Sequence, residues 1–92
     1  MIKSFKHKGL DQYFTKNNKK LLDNRDLLKI NRILDRLDTA KTVKDMDIPG
    51  WNLHELKGNR KGVWSIALRS NWKITFRFEN GDAEDVNLED YH

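Results

Sequence analysis

His54 stands in the string Leu53-His54-Glu55-Leu56-Lys57, and Glu89-Asp90-Tyr91-His92 is the last stretch of the chain. Each string sets a histidine beside residues that carry charge or donate hydrogen bonds, and the first runs on into Arg60 and Lys61. An imidazole, with an unperturbed pKa near ~6.5, can take or give a proton at neutral pH. Cleaving RNA by its own 2′-hydroxyl asks for both acts. The 2′-oxygen must lose a proton to attack phosphorus, the departing 5′-oxygen must gain one, and the crowded phosphorus carries extra negative charge between them. His54 and His92 form a candidate acid–base pair for that chemistry. Lys57 is placed to steady the phosphate, Asp90 to orient a histidine or stabilise its protonated form, and Tyr91 to offer a ring or a hydroxyl. A terminal carboxylate on His92 would favour its imidazolium, which suits the acid role.

Each of these residues also has a plain structural role. His54 between Leu53 and Leu56 fits a half-buried histidine, and a C-terminal histidine fits a frayed end. His7, His54, His92 and Asp90 lack the close spacing of metal motifs, so neither a metal nor another cofactor is expected.

The elements that must position these groups show in the periodicity. Ile2 to Phe5 suggests a short first strand, and Leu10, Tyr13 and Phe14 recur at helical spacing after Gly9. Polar residues from Thr15 to Lys20 then break the pattern. From Asn24, a good N-cap, an apolar stripe of Leu27, Ile30, Ile33, Leu34 and Leu37 predicts a second helix to about Ala40. Beyond Pro49-Gly50 the period becomes two: Trp64, Ile66 and Leu68, then Trp72, Ile74, Phe76 and Phe78, alternate with polar or small residues. Ser70-Asn71 predicts a tight connection. Asn80-Gly81 predicts a type I′ hairpin, because both residues tolerate positive φ. A last strand through Val86 and Leu88 completes the pattern, and the sum is an α+β domain with two helices on one face of an antiparallel sheet. The other face is left open and basic, with Arg69, Lys73 and Arg77 upon it. Trp64 and Trp72 serve the core by period, whereas Trp51 beside Pro49-Gly50 is a candidate for stacking on a base.

With 92 residues, the chain has room for one domain, 1–92, and one small core. It has no cysteine, so neither disulfides nor thiolate metal sites contribute. No apolar run approaches the length of a membrane span, and Met1 to Lys6 has no signal-like core; a soluble cytoplasmic protein is expected. The net charge of +4 is unevenly spread. From His54 to Phe78 there are six basic residues, Lys57, Arg60, Lys61, Arg69, Lys73 and Arg77, against Glu55 alone. From Glu79 onward there are six acids and no Lys or Arg. Such a split suits a protein that turns one surface to a polyanion and keeps another away from it.

Taken in order, Leu53-His54-x-Leu56-Lys57-Gly58-x-Arg60, Gly62-x-Trp64-Ser65-Ile66, Asn71-Trp72-Lys73-Ile74-x-Phe76, Gly81-Asp82-Ala83 and Asp90-Tyr91-His92 closely resemble the HigB toxins of the RelE/ParE superfamily. Met1 to Phe5 and the length fit too, so the resemblance spans the chain. It implies a small RelE-like fold and a ribosome-dependent mRNA endonuclease, an mRNA interferase that cuts mRNA in the ribosomal A site and stops translation. It implies a HigA-like helix-turn-helix antitoxin as partner, through which alone operator DNA would be contacted. The catalytic set it implies is His54, Asp90, Tyr91 and His92 supported by Lys57, with Asn71 and Lys73 near the substrate; by charge and place along the chain, Arg60, Lys61, Arg69 and Arg77 join Asn71 and Lys73 as candidate RNA-binding residues. Lys73 stands where the family commonly has Arg, and a lysine lacks the planar two-pronged grip of a guanidinium. Two rivals remain open: a ParE-like gyrase inhibitor, on which the His54 and Asp90-Tyr91-His92 set is not expected, and a non-catalytic RNA- or ribosome-binding module.

Overall fold

The computed structural model describes residues 1–90. Helix α1 runs Lys8–Lys16, two residues further than the polar composition after Phe14 suggests. It opens on His7, whose Nδ1 accepts from the backbone N–H of Leu10 at 3.2 Å. It ends at Asn17, which takes a left-handed φ of 54° and lets the N–H groups of Asn17 and Asn18 reach the carbonyls of Tyr13 and Gln12. Helix α2 spans Leu27–Thr39 and buries Ile30, Ile33, Leu34 and Leu37, the expected stripe. Its entry differs from expectation: Asn24 is not the cap. Asp23 instead accepts from the N–H of Arg25 at 2.9 Å and starts a 3₁₀ turn, Asn24–Asp26, that feeds α2. A second 3₁₀ turn, Val43–Met46, follows α2 and is closed by a capping box between Thr42 and Asp45.

Four strands form one antiparallel sheet in the order β1-β2-β3-β4: His54–Glu55, Val63–Arg69, Trp72–Glu79 and Asp82–Asp90. Ile66, Leu68, Ile74, Phe76, Ala83 and Val86 are buried against the helices together with Leu10, Ile33, Leu34 and Leu37. Burying each large apolar side chain contributes about 1.5–3 kcal/mol, so this shared layer is the main source of stability. Trp51 also packs on that core, and its carbonyl accepts from Ala67 N–H at 2.8 Å, so the indole is half-buried rather than displayed. Asn80 and Gly81 take φ values of 52° and 82°, as a type I′ turn between β3 and β4 requires.

The expected first strand is reduced to two parallel bridges, Ile2 with Ala83 and Phe5 with Val86, along the outer edge of β4. The cause lies in β4. Between Thr75 and Arg77 the β3–β4 register shifts, and Asp85 takes φ 54°, so β4 bulges midway and interrupts any continuous ladder beside it. The N–H of Asp85 is satisfied by Ser4 Oγ at 2.9 Å.

Candidate active site on the open face

The register of the sheet aligns His54, Ser65, Thr75 and Asn87 in one row across all four strands. This row lies on the face away from the helices, because its neighbours Trp64, Ile66, Ile74 and Phe76 point into the core. Ser65 and Thr75 are buried at its centre and His54 is exposed at its edge.

His54 Nδ1 lies 2.9 Å from the carbonyl oxygen of Asn52. A carbonyl only accepts, so this hydrogen bond puts the proton of the neutral ring on Nδ1 and leaves the lone pair on Nε2. Asn52 can offer that carbonyl because its φ of 51° turns the chain back just before β1. Such a ring is prepared to accept a proton at Nε2.

After β1 the chain passes Lys57, exposed, into a 3₁₀ turn at Gly58–Arg60. Glu55 accepts from Gly62 N–H at 2.8 Å and Leu56 N–H donates to Val63 O at 2.8 Å, which closes the excursion between β1 and β2. Lys61 is exposed at its rim. Arg60 turns back over the sheet and donates through Nη1 and Nη2 to Glu89 at 2.8 and 2.6 Å. Glu89 also accepts from the buried Thr75 hydroxyl. Hydrogen bonds from Arg60 lead the effects that hold the Glu89 carboxyl below its ordinary range, against the opposing cost of burial. A cavity of about 190 Å³ opens here, lined by Asn59, Arg60, Thr75, Arg77, Asp85 and Glu89.

The remaining basic candidates are dispersed. Lys73 is in register with Glu89, and Arg77 Nε lies 3.9 Å from Asp85. The acids of the last strand are thus interleaved with the cations, and the open face is less basic than the count of cations suggests. Asn71 is exposed in the β2–β3 turn, beside Ser70 at φ 49°. Arg69 departs from its expected place. The β2–β3 register shifts between Ala67 and Arg69, and the guanidinium reaches Asp26 at 2.8 and 3.2 Å, tying the sheet to the start of α2. Asp90 ends β4 opposite Trp72, exposed, on the parity of Leu88 rather than of Glu89. Tyr91 and His92 lie outside the described residues.

The structure therefore brings His54, Arg60, Lys73 and Arg77 to one face. Thr75, Asn87 and Glu89 join them there, and sequence reading missed all three as site residues. The odd-numbered parity of Glu89, opposite to Leu88, was the available signal. A larger depression of about 680 Å³ between the end of α2 and the β3–β4 turn holds none of the candidate residues, so size is no guide to the chemistry here. Among the described residues there is no group of three or more His, Asp or Glu side chains able to hold a metal. No helix among them is long and apolar enough to cross a membrane.

Comparison with known proteins adds three findings. A family profile described as RelE-like toxin of type II toxin-antitoxin system HigB matches residues 3–92. The chain is 49% identical over 92 residues, the full length of both proteins, to Endoribonuclease HigB of Proteus vulgaris. It is 31% identical over 91 residues to Toxin HigB-1 of Vibrio cholerae serotype O1, covering 97% of this chain and 96% of that one.

Proposed function

This chain belongs to the HigB-like family of RelE-like toxins of type II toxin-antitoxin systems, and from that premise we propose that it is an endoribonuclease that cuts mRNA in the A site of a translating ribosome. His54 Nε2 takes the proton from the 2′-hydroxyl, whose oxygen bonds to phosphorus. The bond from phosphorus to the 5′-oxygen breaks, and that oxygen takes a proton from the Asp90-Tyr91-His92 segment, with His92 as the donor. The product strand ends in a cyclic phosphate. Lys57 and the cations of the open face, Lys73 and Arg77 among them, offset the charge that grows on the phosphate. Lys61, Arg69 and Asn71 lie further out, where contact with RNA would serve positioning rather than bond breaking.

The observation that carries this reading is the tautomer of His54: its hydrogen bond to Asn52 leaves a lone pair on the exposed ring, beside a face that mixes cations with buried hydroxyls. Ribosome dependence follows from what the face lacks. It is an open sheet with a cavity of only about 190 Å³, and little in it would force a flexible single strand into line for attack. A ribosome that already holds the codon supplies that alignment. The protein then acts in the cytoplasm, as a single domain, with a HigA-like helix-turn-helix antitoxin as its restraining partner and no DNA contact of its own.

The test is cleavage of an end-labelled mRNA, on programmed ribosomes and free in solution, by the wild type and by His54→Ala/His92→Ala. The expected result is cutting that needs both the ribosome and the histidines, with a loss of about a hundredfold or more in the variant. Ribosome binding without cleavage by the folded wild type would favour a non-catalytic binding module. Absence of both would turn attention to gyrase.

A further inference from the structure

The described residues assigned to catalysis come from opposite edges of the sheet. His54 and Lys57 belong to β1 and the turn after it, Asp90 ends β4, and β2 and β3 lie between them. The β1 side is lightly held: the strand has two residues and two registered pairs, His54 with Ser65 and Glu55 with Trp64. So short a ladder leaves the turn at Gly58–Arg60 dependent on other contacts for its position.

Arg60 and Glu89 supply one, from positions 29 residues apart in the chain. Two parallel N–H to oxygen bonds define the plane and direction of a guanidinium against a carboxylate, which a single contact does not. Glu89 is itself held from below, by the hydroxyl of Thr75, a side chain only 2% exposed on β3. Asn87, two residues back on β4, shares its face and its parity. The anchor is therefore rigid at its sheet end, and it sits one residue before Asp90.

We propose that Glu89 is a positioning residue of this nuclease, holding Arg60 so that the β1 side of the active site stays in register with the end of β4 at Asp90. The proposal rests on the endonuclease reading above. It explains why an acid lies on a face that must meet RNA. The carboxylate is turned into the Arg60 fork and the Thr75 hydroxyl, and hydrogen bonding to Arg60 favours its ionised form. Displacing a catalytic group by about 1 Å can cost on the order of a hundredfold in rate, so a tether of this kind can matter to turnover far more than to folding.

The experiment is single-turnover cleavage of ribosome-bound mRNA by the wild type, Glu89→Gln, Arg60→Lys, Arg60→Met, Glu89→Leu and the paired Arg60→Met/Glu89→Leu, with thermal unfolding of each. Glu89→Gln keeps the shape at position 89 but removes the charge and replaces one accepting oxygen with a donating NH2, so the two-bond fork to Arg60 is lost. Its cleavage rate is expected to fall about 30- to 100-fold, with affinity for the ribosome nearly unchanged. Its pH profile should keep both limbs and lose only height, because a positioning group does not exchange the reacting protons. Arg60→Lys, which keeps the charge and loses the fork, should fall similarly. The paired variant should be no slower than the slower of Arg60→Met and Glu89→Leu alone, since both break one link.

Cleavage by Glu89→Gln at the wild-type rate overturns the proposal, as does a pair whose losses multiply. A limb of the pH profile that vanishes with Glu89 overturns it too, because Glu89 would then be handling the proton itself. Each of these leaves the endonuclease reading standing, provided that wild-type cleavage still depends on His54. No cleavage by the wild type would remove that reading, and this proposal with it.

Discussion

Arg69 donates to Asp26 at 2.8 and 3.2 Å, and Arg60 donates to Glu89 at 2.8 and 2.6 Å. Both arginines belong to the basic stretch from which RNA contacts are expected, and both meet a carboxylate with two hydrogen bonds. They differ in where the acid comes from. Asp26 belongs to the helical layer and is 7% exposed, so the Arg69 pair closes the joint between helix and sheet. Glu89 belongs to the sheet itself, so the Arg60 pair lies wholly on the open face. The first pair serves the assembly of layers and the second serves the arrangement within one layer. Identical side-chain chemistry is thus assigned its role by the element that brings the partner.

Removing Arg69 should give the largest effect on stability. Arg69→Met strands the buried Asp26 carboxylate, and we expect a marked fall in the midpoint of chemical denaturation. Replacing both members by apolar residues, Arg69→Met/Asp26→Leu, should recover most of that loss, because the unpaired charge goes with its partner. Cleavage measured per folded molecule then reports any contact with RNA that Arg69 still makes. Equal losses in the single and paired variants would show that the joint depends on more than this charge.

A smaller effect should come from Gly9→Ala. A Cβ at position 9 would sit 2.8 Å from His7 Cε1 and 3.1 Å from both Leu21 Cβ and Leu22 Cδ2. The His7 ring can swing aside, but the segment at Leu21 and Leu22 leads directly to Asp23 and must shift with its backbone. We expect about 1–2 kcal/mol of destabilisation by thermal or chemical unfolding. The cleavage rate of the folded fraction should hold, since the shift falls on the Arg69 side and not the Arg60 side.

The smallest effects should appear on acidification, in two separate windows. Burial lowers the pKa of His7 from 6.5, and its Nδ1 must stay unprotonated to accept from Leu10. The unfolded chain therefore binds that proton more readily. Stability falls as pH drops from about 6.5 towards the lower folded value, and levels off below it. Glu89 behaves as a paired carboxylate, its pKa lowered from 4.5 chiefly by the Arg60 hydrogen bonds. Its stabilisation is complete above about 4.5 and is lost as pH falls through the depressed folded value. Unfolding midpoints measured against pH should lose the upper step in His7→Asn, where Asn can still cap α1, and show a smaller lower step in Glu89→Gln, the remainder belonging to Asp23 and Asp45, whose carboxyls are also held low by hydrogen bonds. A single step that neither variant alters would mean that other groups dominate the titration.

What the sequence discloses follows from the range of each interaction. The apolar stripe of α2, the alternation of β2 and β3 and the Asn80-Gly81 turn are local patterns, and they appear where they were expected. The first strand did not form as such, because its fate depends on a bulge at Asp85 some eighty residues away that no local rule announces. Asp23 displaces Asn24 as the cap because either residue type suits the role, and only the path of the entering chain decides between them. At the site, His54 is recognisable from its neighbours in the string. Arg69 and Arg60 are recognisable only as positive charges. Their carboxylate partners lie 43 and 29 residues away, and it is those partners that decide how each cation is used.

The N-terminal bridges carry one more consequence. A sheet can recruit a foreign strand only where backbone N–H and C=O groups lie unclaimed along an edge. On β4, Ala83 and Val86 already exchange hydrogen bonds with Met1, Lys3, Ser4 and Lys6, and at the far edge β1 offers two residues. Around Ala83 to Val86, then, a visiting peptide finds the margin already taken. A protein that added a strand there would first have to peel residues 1–6 away from β4, whereas one that grips side chains and surface relief would not.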